Sequence, residues 1–82
     1  MRIALDYDNT YTLDPAFWDD FIAAAQQRGH KVQIVSMRYP HENIEAPPAP
    51  VVYTSRKAKS GVASADVWID DSPQWIYQDA VL

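Results

Sequence analysis

No cysteine occurs among the 82 residues of this chain. That excludes a disulfide framework and a thiolate metal site, and it fits a reducing compartment. Long apolar runs are missing too. The first residues pass straight into a strand pattern, so the reading is no signal peptide, no membrane-spanning helix and a cytoplasmic location. Basic residues are the minority: seven Lys and Arg stand against eleven Asp and Glu, for a net charge of −4. A nucleic-acid module that binds by bulk positive charge is thereby disfavoured. Arg56, Lys57 and Lys59 still form a local basic patch.

What is present is enough for a core. Hydrophobic residues make up 48% of the chain and include five Tyr and three Trp, which excludes a disordered composition. The length allows one domain, residues 1–82.

Local patterns divide the chain. "RIAL" (2–5) reads as a buried strand and "DNTYTLDP" as a loop. Asp14 and Pro15 open a helix, as cap and first helical residue. Phe17, Trp18, Phe21, Ile22, Ala24 and Ala25 recur at helical spacing, and Gly29 ends the helix. "KVQIVS" (31–36) is a second strand. The four prolines of "MRYPHENIEAPPAP" rule out regular structure across it. "VVYT" (51–54) and "DVWID" (66–70) are further strands. "SRKAKSGVASA" between them has room for a short helix, weakened by Gly61. A terminal helix spans "SPQWIYQDAVL", opened by Ser72 and Pro73. The rhythm predicts an α/β fold: a minimal Rossmann-like parallel sheet of about four strands with flanking helices. Tyr7 is expected to point away from its acidic neighbours by strand alternation. Phe17, Trp18, Phe21, Trp68 and Trp75 are expected in the core, and His41 and Glu42 on a surface loop.

Polar residues then fall at one edge. Asp6 and Asp8 end the first strand, Ser36 the second, and Asp70 and Asp71 the fourth. In a parallel sheet those ends share a side, where ligands bind. Four clustered carboxylates repel each other unless a cation sits among them. Hard oxygen donors suit Mg²⁺, which often bridges to a substrate phosphate. One carboxylate can attack phosphorus, a second can move the proton, and a lysine with Mg²⁺ can neutralise the phosphoryl charge. Arg38, just past the second strand, is placed to reach a phosphate.

These segments resemble the haloacid dehalogenase superfamily. "LDYDNT" is similar to its Asp-x-Asp-x-Thr first motif, "IVS" to the apolar strand ending in Thr or Ser, and "WIDDSP" to the acidic pair of its fourth motif. They come in the family's order and span Asp6 to Asp71. The chain looks in particular like the very small phage and bacterial members. The resemblance implies a Mg²⁺-dependent phosphatase. Asp6 would be nucleophile and metal ligand. Asp8 would be the general acid/base, with its backbone carbonyl on the metal. Thr10 would hold the loop beside the substrate phosphate, and Ser36 would bind that phosphate. Asp70 would ligate the metal with support from Asp71. The motif lysine is Lys59 or Lys57; the Thr-Ser spacing favours Lys59.

No segment is long enough for the cap domain that larger members insert, so a capless core is expected. Capless members tend to act on large substrates, such as phosphorylated proteins or nucleic-acid ends, or to borrow cover by forming a homo-oligomer; a macromolecular or nucleotide phosphate is the substrate expected here. The alternative is a catalytically weak phosphate- or Mg²⁺-binding module that works through a partner protein. A receiver domain also uses acids, a hydroxyl, a lysine and an aspartyl-phosphate. It is disfavoured because its adjacent acidic pair follows the first strand, whereas here that pair comes last.

Overall fold

The computed structural model describes residues 1–80. Four strands, β1 (Arg2–Leu5), β2 (Lys31–Ser36), β3 (Val51–Tyr53) and β4 (Val67–Ile69), form one sheet in the order β3-β2-β1-β4. Every pairing is parallel. Helices α1 (Pro15–Gln27), α2 (Lys59–Val62) and α3 (Gln74–Tyr77) flank it. The α/β, Rossmann-like arrangement read from the sequence is therefore the observed one. None of the helices among the described residues is long and apolar enough to cross a membrane.

Alternation along β1 and β2 sends Ile3, Leu5, Val32 and Ile34 to one face, where Ile22 and Ala25 of α1 meet them. Leu5 and Ile34 are wholly buried; truncating either to Ala costs about 2–5 kcal/mol. Helix α1 starts as its residues dictate. Asp14 accepts a hydrogen bond from the Phe17 amide, and Pro15 takes the first helical position. It ends in a Schellman motif: the Gly29 amide donates to Gln26 and the His30 amide to Ala25. Gly29 sits at φ +82°, a conformation that would strain any side chain there.

The β2–β3 crossover carries no helix. Its Pro-rich segment folds down so that Ile44 and Ala49 join the α1-side core. The Ile44 amide donates to the Tyr53 hydroxyl, 3.0 Å away. Neither this segment nor the loop after β1 builds a cap.

Three expectations are corrected. Phe17 lies 57% exposed rather than in the core, because only Ile22 and Ala25 of α1 are fully buried; it meets Trp18 edge-on. Trp68 and Trp75 are only half-buried. The terminal helix is one turn, Gln74–Tyr77, without a side-chain cap from Ser72. Asp79 accepts the Ala58 amide and the Ala80 amide donates to Arg56, which draws the chain out of the helix. The part of that reading at Val81 and Leu82 lies outside the described residues.

Candidate active site

The sheet order places the site. From β1 the chain moves to β2 and β3 on one side, then returns to β4 on the other. The carboxyl ends of β1 and β4 flank this reversal, where open α/β sheets leave a crevice. The β1–β4 ladder runs one residue past its last pair, since the Asp6 amide donates to Ile69 at 2.9 Å. Asp6 is thereby held beside Asp70, and Asp71 follows.

Lys59 enters from the first residue of α2. The loop before it turns through two left-handed residues, Ser55 (φ 53°) and Arg56 (φ 68°). Such conformations are costly for side-chain-bearing residues. Here the Ser55 and Arg56 amides donate to the carbonyls of Arg38 and Met37, tying the β2 and β3 ends together. Lys59 Nζ then lies 2.8 Å from Asp6 Oδ1 and 2.6 Å from Asp70 Oδ2. The lysine and Asp70 side chains are each 4% exposed and that of Asp6 11%. Lys57, the other candidate, is exposed and lies outside this cluster.

Thr10 stands behind the acids. Its hydroxyl is 3.0 Å from Asp6 Oδ2 and 3.2 Å from Asp71 Oδ1, and its oxygen accepts the Asp71 amide. One hydroxyl hydrogen serves one carboxylate at a time. Thr10 is not among the residues lining the cleft, so it holds carboxylates rather than facing the space for a substrate. Ser36, 2% exposed, does line the cleft. Its oxygen accepts the Arg38 amide, which leaves its hydroxyl hydrogen to donate.

Burial pushes the Asp6 carboxyl up from 3.8 to about 6; Asp71 and Asp70 add to this and Lys59 partly offsets it. The hydrogen bond shared with Asp6 holds Asp71 below the usual carboxylate range, helped by Thr10 and Ser72. Below about pH 6 a proton in this cluster therefore favours Asp6 over Asp71.

Asp6, Asp70 and Asp71 each offer an oxygen, all within 4.8 Å of one another. Every one of these oxygens also accepts an internal hydrogen bond, but a carboxylate oxygen has a second lone pair for a cation. The Asp8 carbonyl accepts no hydrogen bond among the described residues. This all-oxygen donor set fits Mg²⁺.

Asp8 departs from the cluster. Its side chain is 51% exposed and gripped by Arg38, with Nε 3.0 Å from Oδ2 and Nη2 2.8 Å from Oδ1. Glu42 and Trp75 carry no sequence signal for this site, and Arg56 is marked only as part of a local basic patch. Arg56 lines the cleft, bonds the Met37 carbonyl and pairs with Glu42. Glu42 is accordingly half-buried rather than free loop surface. Trp75 forms part of the cleft wall. Tyr7 does not line the cleft; it stacks on Tyr11 with ring centroids 5.5 Å apart and lies beneath the Arg38 guanidinium that grips Asp8.

No model of a known protein family matches the chain, and no curated protein or solved structure matches it.

Proposed function

We propose that this protein is a Mg²⁺-dependent phosphomonoester hydrolase that works through an aspartyl-phosphate on Asp6. The observation that carries this reading is the meeting of Asp6, Asp70, Asp71 and Lys59 at the sheet's reversal point, with Ser36 lining the same cleft. The cleft is lined by four carboxylates (Asp6, Asp8, Asp70, Asp71) and three cations (Arg38, Arg56, Lys59), leaving one net negative charge. A divalent cation reverses that sign and makes the cleft a place for a phosphate.

Each residue has a task. A carboxylate oxygen of Asp6 attacks phosphorus, forming the acyl phosphate as the ester P–O bond breaks. Asp8 gives its proton to the departing alcohol oxygen, then takes one from the water that attacks the intermediate. Lys59 and the Ser36 hydroxyl hold the phosphoryl oxygens. Asp6, Asp70 and the Asp8 carbonyl, with Asp71 in support, would hold Mg²⁺, which would supply positive charge to offset that of the transferring group.

The test is phosphate release from an aryl phosphate, with and without Mg²⁺, by the wild type and by Asp6→Asn. Metal-dependent turnover that the variant loses supports the reading. Full activity in Asp6→Asn would overturn the assignment of the nucleophile.

A further inference from the structure

We infer that Arg38 reads a second anionic group on the substrate, and that taking Arg38 away from Asp8 is how such a substrate releases the acid/base. The inference rests on the phosphatase reading above.

The geometry raises a conflict that this resolves. Both oxygens of Asp8 accept from a single guanidinium, through Nε at 3.0 Å and Nη2 at 2.8 Å. Held this way, the carboxylate faces the fork and must turn from Arg38 to serve a leaving group. Arg38 is further held by the Glu42 carbonyl, 3.2 Å from Nη1, and lies 5.1 Å above the Tyr7 ring. The other rim cation is different. Arg56 grips Glu42 and the Met37 carbonyl, outside the reacting groups, and ties two loops together. Of these two rim cations, Arg38 is the one that holds a residue the chemistry needs.

Three features make Arg38 exchangeable and specific. The Arg38 and Asp8 side chains are 29% and 51% exposed, and an ion pair this wet is weak. The guanidinium fork that fits the Asp8 carboxylate fits a substrate carboxylate or phosphate equally well. The Arg38 amide donates to Ser36 Oγ, so the fork starts from a point fixed to the phosphate-holding hydroxyl. A second anion near the scissile phosphate therefore meets the fork, while a simple ester leaves the Arg38–Asp8 pair intact. The substrate class is a phosphomonoester that carries a nearby carboxylate or second phosphate.

The experiment uses Asp6→Asn with Mg²⁺, so that ligands bind without turnover. Phenyl phosphate, 3-carboxyphenyl phosphate and a nucleoside 3′,5′-bisphosphate are titrated by calorimetry. At least one of the two-anion compounds is expected to bind about tenfold or more tightly than phenyl phosphate. Which of them does so identifies the anion as carboxylate or phosphate. Adding Arg38→Gln should bring the ratio close to one, and Arg38→Lys should restore only part of it, because lysine lacks the fork. In turnover assays with Asp6 intact, Arg38→Gln should raise kcat for phenyl phosphate by freeing Asp8. Equal affinities, or a preference that survives Arg38→Gln, would overturn the inference alone. Failure of all three compounds to bind would overturn the phosphate-site reading and the inference with it.

Discussion

Lys59 and Asp70 meet at 2.6 Å with both side chains 4% exposed, so the lysine is a buried cation that the acids cannot do without. It also serves Asp6 at 2.8 Å. Removing one member of a buried pair leaves the other charge unpaired, at a cost of about 3–5 kcal/mol. Lys59→Met should lose about that much in chemical denaturation, and millimolar Mg²⁺ should restore part of it. Lys57→Met, at an exposed position, should stay within about 0.5 kcal/mol of wild type.

Asp6 makes the metal-free fold sensitive to pH. Its carboxyl keeps a proton up to about pH 6 in the folded state but releases it near 3.8 when unfolded, chiefly because it is buried. Between those values the folded state binds more protons, so this group's contribution to stability falls as pH rises, and the penalty is complete above about pH 6. Without metal, Asp6→Asn should melt above wild type at neutral pH. The gap should close towards about pH 4. Melting curves in a chelator across that range check this; a gap that widens in acid contradicts it.

If, as proposed, Mg²⁺ binds the folded acids and not the unfolded chain, it should raise the melting temperature. At a hundred times its Kd the gain is about 2.7 kcal/mol, or several degrees in a domain of this size. Asp70→Asn should abolish most of the shift. Protons compete for Asp6, so the apparent Mg²⁺ affinity should weaken below about pH 6. A melting temperature indifferent to Mg²⁺ at neutral pH counts against the site.

Asp8→Asn should separate stability from activity. The pair it makes with Arg38 is exposed, so its loss should cost no more than about 1 kcal/mol. Turnover should drop by about 10²–10⁴-fold, the usual contribution of a general acid/base. Matched unfolding and phosphate-release measurements test both halves.

Sequence reasoning reached far where signals are local. The caps of α1 lie in Asp14, Pro15 and Gly29, and the strand ends carry Asp6, Ser36 and Asp70. What it missed depends on residues far apart in the chain. Arg38 finds Asp8 from 30 residues away, and Asp79 pins Ala58 from 21. The Thr-Ser spacing favours Lys59, and Lys59 is the buried one; the left-handed turn at Ser55 and Arg56 that aims it has no signature in those residue types. Phe17 fits a helical stripe, yet periodicity does not say where the sheet beneath it stops.

The pairing of the first strand with the fourth has a consequence for how the molecule comes into being. Lys59 and Asp6 are 53 residues apart and Thr10 and Asp71 are 61 apart, so the constellation rests on non-local contacts. The β1-α1-β2 unit can gather early from nearer neighbours, but contacts this distant carry the higher closure entropy and form late. A half-assembled chain would hold one arm of the cluster without the other. The proposed activity should therefore need the complete fold, since only the assembled sheet brings both arms of the cluster together.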